Sequence, residues 1–253
     1  MRAGMRLREL TFFLDEFLKT GEWSETSKNG LQVEGKEEVE KVAFAVDACM
    51  ETFEKARDTN ADMLVVHHGL VWGGIEYVTG IVAKRLRFLL ENGISLYAAH
   101  LPLDAHPEIG NNVKLLEIVG AEVEEPFGFY HGKAIGFAGR LSNGVELEEL
   151  AAILEEKLQT EVRVLNFGCN RVKRIGAVSG RGGFAVAEAA EKGLDVLITG
   201  EAEHSAYHTA KELGVNVIFA GHYATETLGI KALMDVVDGL GLKTEFIDAP
   251  TRL

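Results

Sequence analysis

The chain has 253 residues, of which 39 are acidic and 26 are basic, so its formal net charge is −13. A hydrophobic content of 47% and a charged content of 26% are ordinary for globular proteins and argue against disordered or fibrous classes. The negative charge argues against a nucleic-acid partner, because phosphate contacts require clustered Lys and Arg.

The chain also lacks the features of a membrane or secreted protein. No apolar run approaches the ~20 residues of a membrane span. The first residues, 1–6, lead into an amphipathic pattern, which differs from the unbroken apolar stretch of a signal peptide. Two cysteines are too few for a disulfide framework. We therefore expect a cytoplasmic protein with no membrane partner.

Helical and strand-like patterns alternate along the chain. In the first part the apolar spacing predicts helices at 7–18, 50–58 and 78–91, and strands at 42–46, 63–66 and 95–99. The middle is expected to form a strand at 134–140, a helix at 145–157 and a strand at 161–165. The last part is expected to form strands at 175–178, 196–198 and 215–219, and helices at 184–192, 204–213 and 222–233. This order predicts an α/β fold with mostly parallel sheets flanked by helices.

Two of these β-α-β-α-β stretches resemble each other in sequence. Asp62–Val66 matches Asp195–Thr199, and the stretches that end at His100 and His222 match with one residue inserted. In both stretches an acidic residue lies four positions after the histidine. An internal repeat is therefore predicted, although fold constraints alone could produce such similarity.

The repeat predicts two similar α/β subdomains. The first is expected to cover residues 1–125 and to be completed by the C-terminal segment 220–253, and the second to cover residues 126–219. No Pro/Ser-rich linker separates them, so they are expected to share one compact body without a large inserted domain.

Histidines follow one of the predicted strands directly. His67, His68 and Gly69 come after the strand at 63–66, and the C-terminal edge of parallel strands is where α/β proteins bind ligands. Imidazole is the commonest metal ligand, so this pair indicates a metal site. The alternative is a pair of polar loop residues with one ring packed and hydrogen-bonded.

Carboxylates follow two further strands. Asp104 lies four residues after His100, and Glu226 lies four residues after His222 at the start of a helix. The latter spacing puts imidazole and carboxylate on one helix face, as in helical metal motifs. The alternatives are a turn residue at Asp104 and an exposed surface pair at His222 and Glu226.

Together these side chains make five candidate ligands, which are His67, His68, Asp104, His222 and Glu226. One catalytic zinc needs fewer, and two closed tetrahedral sites need more. Two metal ions that share a bridging carboxylate would use all five. Ligands of this kind suit Zn, Fe, Mn, Co or Ni and do not distinguish them.

Other polar residues near the predicted strand ends are weaker candidates. His100 could orient a ligand or act as an acid or base. Glu201 and His204 occupy the place in the second stretch that the histidine pair occupies in the first, so they could support the site or carry protons. The Gly-rich segment 179–183 is expected to be a tight turn, with Arg181 as a candidate contact for a substrate phosphate.

These motifs resemble the Nif-three-like dinuclear metal-binding family, whose members are often described as GTP cyclohydrolase I type 2 homologues. The resemblance covers nearly the whole chain and rests on the runs 29–33, 67–69, 100–112, 198–201 and 221–226. It implies two divalent ions per subunit in a cleft between two similar subdomains, and a ring-shaped homohexamer. Longer relatives carry an inserted domain for which 253 residues leave no room.

The resemblance also implies residue roles and a reaction. Glu226 would bridge the ions, His68 and Asp104 would hold one ion, and His67 and His222 would hold the other. A hydroxide held by the metal ions would attack a nucleotide-like or phosphorylated substrate, with His100 and Glu226 as catalytic residues. For GTP the attack would be at C8 of the guanine ring, and a second hydrolysis would release formate. The alternative is a non-catalytic hexamer, stabilised by metal, that acts as a scaffold or regulatory binding protein.

Overall fold

A computed structural model describes residues 4–252, and within these residues the fold is mixed α/β. The strands are β1 Met5–Arg6, β2 Gly30–Val33, β3 Glu38–Val39, β4 Lys41–Asp47, β5 Met63–His68, β6 Ser95–Ala98, β7 Ala121–Tyr130, β8 Lys133–Glu146, β9 Arg163–Leu165, β10 Arg171–Val178, β11 Val196–Thr199, β12 Asn216–Phe219 and β13 Lys243–Phe246. The helices are α1 Leu7–Leu18, α2 Met50–Asp58, α3 Gly80–Glu91, α4 Leu101–Asp104, α5 Asn111–Ile118, α6 Leu147–Leu158, α7 Val186–Glu191, α8 His204–Leu213 and α9 His222–Gly239. Short 3-10 turns lie at Thr20–Glu22 and Gly183–Ala185. No helix within residues 4–252 combines the length and the apolar character needed to cross a bilayer.

Contacts between Cα atoms divide the described chain into two units. The first unit comprises residues 4–103 and 230–249, and the second comprises residues 104–229 and 250–252. In the second unit α5 packs on β7, β8 and β10, with Leu115 and Leu116 fully buried in the core. The predicted subdomain ranges stay a prediction, and residues 1–3 and 253 of those ranges lie outside the described residues.

The main sheet of the first unit has the strand order β13-β4-β5-β6-β2. Its first four strands are parallel, and β2 runs antiparallel to β6. Strands β4 and β5 are almost continuously buried, as expected for parallel strands that are covered on both faces. The core includes Phe53 of α2, Leu64 of β5, Leu89 of α3 and Leu96 of β6. The carboxyl ends of these strands therefore lie along one edge of a rigid sheet.

The sheet of the second unit has the order β7-β8-β10-β11-β12-β9. Within residues 4–252 the parallel pairs of this sheet are β10–β11 and β11–β12, whereas β7–β8, β8–β10 and β12–β9 are antiparallel. The prediction of mostly parallel sheets is therefore wrong for this unit. For the pair β7–β8 the reason is local, because His131 and Gly132 form a two-residue turn with φ of 48° and 82°. A turn of that kind joins antiparallel strands directly and needs no crossover helix.

The same hydrogen bonds recur in the two units. Asp62 accepts hydrogen bonds from two backbone N–H groups near the start of β4, at 3.0 and 3.2 Å. Asp195 accepts from two backbone N–H groups near the start of β10, at 2.8 and 2.7 Å. Ser95 and Asn216, at the starts of β6 and β12, each accept from the N–H of a glycine that follows the antiparallel edge strand. The sequence similarity thus corresponds to shared local structure.

Asp62 makes the stability of the first unit dependent on pH. Burial alone raises the pKa of Asp62, but the ammonium group of Lys36 at 2.7 Å and the two backbone N–H groups lower the pKa below its ordinary value of 3.8. A carboxyl group whose pKa is lowered by folding stabilises the protein above its unfolded pKa, and this contribution is lost as the pH falls through the folded pKa. We expect Asp62→Asn to lower the free energy of unfolding by about 2 kcal/mol at pH 7.

That difference should shrink as the pH falls below 3.8. Urea unfolding of both proteins over a pH series measures it, with Asp58→Asn as the control, because the side chain of Asp58 is 65% exposed. A difference between Asp62→Asn and the wild type that stays constant through the acid range would contradict the assignment.

Candidate metal centre

Three histidines lie together at the carboxyl edge of the sheet of the first unit. His67 and His68 are the last residues of β5, and His100 follows β6. Because β5 and β6 are parallel neighbours, their ends bring these side chains to one place. A possible ligand atom of each imidazole lies within 4.8 Å of the others, and His67 is completely buried. The first unit thus contains a cluster that could hold a metal ion.

Each of these imidazoles is oriented by an oxygen atom that contacts its Nδ1. The Nδ1 of His67 lies 2.8 Å from the backbone oxygen of Ala99, and that of His68 lies 2.8 Å from Oδ1 of Asp47. The Nδ1 of His100 lies 2.5 Å from Oε2 of Glu25. A carbonyl or carboxylate oxygen only accepts, so in a neutral imidazole Nδ1 is the donor and Nε2 carries the lone pair. Metal-ligating histidines commonly have this second contact.

Glu25 is a partly buried residue whose carboxylate has several donors around it. It accepts hydrogen bonds from Asn29 Nδ2 at 2.8 Å, from the N–H of Leu101 at 3.2 Å and from His100. Burial raises the pKa of Glu25, but the hydrogen bond and charge of His100, with the other two donors, leave that pKa below its ordinary value. Asn29 Oδ1 also accepts from the N–H of His100 at 2.8 Å. Glu25 is therefore a charged group that fixes the ring of His100, while Asn29, which donates to Glu25, fixes the backbone N–H of His100.

The second unit carries an imidazole and three carboxylates that are linked by close contacts. His222 opens α9, and Glu226 lies one turn later, with His222 Nε2 3.1 Å from Glu226 Oε1. Glu201, which follows β11, has Oε1 2.7 Å from Nδ1 of His222. Asp104 and Glu226 are buried, and a carboxylate oxygen of one lies within 4.8 Å of a carboxylate oxygen of the other. Two buried acids so close together suit a divalent cation, which neutralises both charges.

The Gly-rich turn after β10 shapes this second group of side chains. The Ser179 hydroxyl and Asn111 Nδ2 both donate to Asp104 Oδ1 at 2.8 Å. At Gly180, whose φ is +59°, an added Cβ would lie 2.3 Å from Glu226 Oε1 and 3.1 Å from His222 Nε2. The turn thus orients one carboxylate and leaves space beside the other, which is more than the tight turn expected from the sequence.

Two weaker candidates lie on exposed surface in the second unit. The side chain of Arg181 is 73% exposed, and its Nε lies 3.4 Å from a carboxylate oxygen of Glu203 and 4.0 Å from one of Glu201. His204 lies exposed in the first turn of α8, where its ring contacts that of His208 at a centroid distance of 6.3 Å. The roles predicted for these residues, and for the ligand set as a whole, stay predictions.

Several supporting residues were not predicted from the sequence. They are Glu25, Asp47, Asn111, Asn112, Ser179 and Thr225, each with a hydrogen bond to a histidine, to Asp104 or to the Gly-rich turn. Asp47 ends β4, at the same edge as the histidine pair, and this position was a usable signal. Glu25 lies in the loop that precedes β2, and no pattern in the sequence indicated it.

Comparisons with known proteins find similarity along nearly the whole chain. The family profile of Duf34/NIF3 (NGG1p interacting factor 3) matches residues 5–252. A Pyrococcus horikoshii protein named GTP cyclohydrolase 1 type 2 homolog is 58% identical over 247 residues, which are 97% of this chain and 98% of the relative. The solved structure of protein ybgI, described as of unknown function, has a TM-score of 0.93 and 36% identity and covers 98% of this chain and 100% of its own. The structure of TTHA1606 from Thermus thermophilus has a TM-score of 0.89 and 38% identity with the same coverage.

Proposed function

Because the chain belongs to the Duf34/NIF3 family, we propose that it is a dinuclear metal-dependent hydrolase acting on a nucleotide-like or phosphorylated substrate. The relatives named GTP cyclohydrolase 1 type 2 homolog support this class of reaction. The proposed centre holds two divalent ions per chain in a cleft between two similar subdomains. Its ligands are His67, His68, Asp104, His222 and Glu226.

One observation supports the proposal more than any other. In each unit the imidazoles are held through Nδ1 by an oxygen atom, which leaves Nε2 as the ligating atom. An ordinary surface histidine has no need of such a contact. The space that Gly180 leaves beside Glu226 and His222 fits the same interpretation, because a Cβ would fill it.

The residues of the chain have separate tasks in this proposal. When bound, a pair of divalent ions lowers the pKa of water and polarises a substrate oxygen. Glu226 would hold both ions, and the ion that each histidine would hold stays a prediction. His100, held by Glu25, accepts or returns a proton at Nε2. Arg181 offers an exposed positive charge to a substrate phosphate, which partly offsets the net charge of −13.

The test is release of formate and phosphate from GTP by the metal-loaded protein. We expect the wild type to release formate if the attack is at C8, or phosphate if the attack is at phosphorus. Glu226→Ala should be at least ~100-fold slower, because the loss of a ligand costs no less than the loss of a contact that supports a ligand. Glu156→Ala, on the exposed face of α6, is the matched control and should keep wild-type activity. Equal turnover by Glu226→Ala and the wild type would remove the proposal in its GTP form.

A scaffold function is the second candidate, and one surface favours it. Ile75, Tyr77, Val78 and Ile81 are exposed within seven residues of chain, with Tyr77 72% exposed. Apolar side chains clustered in this way are typical of contact surfaces. We propose that they support assembly into the ring-shaped homohexamer implied by the family. A hexamer by light scattering, together with no turnover by the metal-loaded wild type, would favour the scaffold over the enzyme.

A cytoplasmic location stays a prediction.

A further inference from the structure

Two exposed histidines lie one turn apart on α8, and neither is among the five proposed ligands. Because α8 begins at His204 and continues to Leu213, His204 and His208 have the i,i+4 spacing that places two side chains on one helix face. The ring centroids are 6.3 Å apart, and the ring planes meet at 86°. Two histidines at this spacing supply two zinc ligands in helical metal motifs. The pair therefore has the arrangement of a chelating site.

The two imidazoles have no other task in the part of the chain that the structure describes. Within residues 4–252, neither His204 nor His208 makes a side-chain hydrogen bond or an ion pair with a protein group. Both residues are exposed, so their side chains can rotate until one nitrogen of each lies ~2.0–2.1 Å from a shared ion. Such a rotation breaks no contact with a polar group of the described chain.

The surroundings limit one ring and leave the local charge balanced. The ring of Tyr207 contacts the rings of His208 and Phe167, with centroid distances of 5.2 Å in both contacts. Further along α8, Lys211 and Glu212 are exposed and carry opposite charges. Exposed charges of opposite sign largely cancel and are screened by salt, so the imidazoles and not the local charge should determine binding.

We propose that His204 and His208 chelate one divalent transition-metal ion at the surface of the second unit, and that none of the five proposed ligands takes part. Zn²⁺, Ni²⁺ and Cu²⁺ are the suitable ions, because imidazole binds them well, whereas Mg²⁺ and Ca²⁺ prefer oxygen ligands. Two protein ligands leave coordination positions open to water or to a group of another molecule. This inference makes His204 a ligand, in place of the supporting role predicted for it.

The site should bind its ion more weakly than the metal centre does. The histidines of the centre have an oxygen atom at Nδ1 that orients each ring, as the carboxylate of Asp47 does for His68. Within residues 4–252, His204 and His208 have no such contact, and its loss usually costs ~10–100-fold in metal affinity. The ion on α8 should therefore exchange readily with ions in solution.

Equilibrium dialysis of the full chain against Zn²⁺ tests the proposal. At the same free Zn²⁺ concentration, the wild type should bind one ion per chain more than His204→Gln or His208→Gln. Each variant should bind this ion at least ~10–100-fold more weakly, the cost of losing even a supporting contact. The two substitutions together should lose little more than either one alone, because a chelate needs both imidazoles. The same difference is expected in the Glu226→Ala background, so it does not depend on the proposed function.

A change of spacing provides the matched control. His208→Gln combined with Ser205→His keeps two imidazoles on α8 but puts them at i,i+1, where side chains do not face each other. This variant should bind the ion no better than His208→Gln alone. His131→Asn removes an exposed imidazole from the turn between β7 and β8 and should leave Zn²⁺ binding unchanged.

Each outcome supports or overturns the site. Equal ion numbers in the wild type and His208→Gln would overturn it, and so would wild-type affinity in the spacing variant. A one-ion difference in a protein that binds no ion at the metal centre would support this site and count against the proposed function. Circular dichroism checks folding, and because both positions are exposed, either single variant can test the site if the other does not fold.

Discussion

Gly180→Ala is expected to weaken metal binding by at least ~10–100-fold while the protein remains folded. The added methyl group would lie 2.3 Å from Glu226 Oε1, closer than a non-bonded Cβ approaches another atom, so the carboxylate must move. The positive φ of +59° adds roughly 1–2 kcal/mol of backbone strain for a residue with a Cβ. Metal content after equilibrium dialysis measures the effect, because the displaced group is a proposed bridging ligand.

Gly120→Ala separates the two contributions of that substitution. Gly120 belongs to the same unit and has φ +75°, but its added Cβ would meet nothing within 4 Å. It should therefore show the backbone cost in thermal unfolding and leave metal affinity unchanged. Equal metal affinity in the Gly180→Ala and Gly120→Ala proteins would show that the space beside Glu226 has no part in binding.

Asn112→Ala is expected to lower the free energy of unfolding by about 3 kcal/mol or more. Asn112 is fully buried, its Oδ1 accepts from the N–H of Ser179 at 2.5 Å, and its Nδ2 donates to the backbone oxygen of Ile135 at 2.6 Å. With alanine at position 112, the N–H of Ser179 and the backbone oxygen of Ile135 stay buried but lose the Asn112 side chain as a hydrogen-bond partner. Each loss costs about 1–3 kcal/mol. Urea unfolding measures the loss.

The same substitution should also reduce metal binding, because Ser179 donates its hydroxyl to Asp104 and would lose its backbone anchor. Asn166→Ala is the matched control, because Asn166 is exposed. Within residues 4–252, its side-chain amide makes one hydrogen bond, to the side chain of Asn170. A stability loss no greater than that of Asn166→Ala would contradict the importance assigned to the buried amide.

Periodicity predicted the regular elements of the first unit well because burial dominates them. The helices predicted at 7–18 and 50–58 are α1 and α2, and the strand predicted at 63–66 is β5, which extends to His68. On α1 the buried positions Leu7, Leu10, Leu14 and Leu18 follow helical spacing. Apolar patterns of this strength leave little choice of structure.

Other elements escaped prediction because their sequences carry no such pattern. Strand β7 contains three glutamates and a proline among its apolar residues and is largely exposed, so neither alternation nor an apolar run identified it. Helix α5 buries two asparagines on its inner side, against the usual rule for helix faces. Both are defined by tertiary contacts, which a local reading of the sequence cannot include.

The candidate ligands were easier to predict than the residues that support them. His67, His68, His222 and Glu226 were singled out because strand ends and i,i+4 spacing are visible in one dimension. Glu25 lies 75 positions from His100 in sequence, and no spacing rule relates the two. Ion number, ion type and the meeting of all five ligands in one centre stay predictions.

The most direct measurement is a crystal structure of the protein grown with divalent ions, with anomalous diffraction recorded at the absorption edges of Mn, Fe, Co, Ni and Zn. We expect two ions per chain, each with protein ligand atoms within ~2.0–2.3 Å drawn from His67, His68, Asp104, His222 and Glu226. A structure at saturating ion concentration that shows no ion at these residues, or ions only elsewhere on the chain, would contradict this expectation.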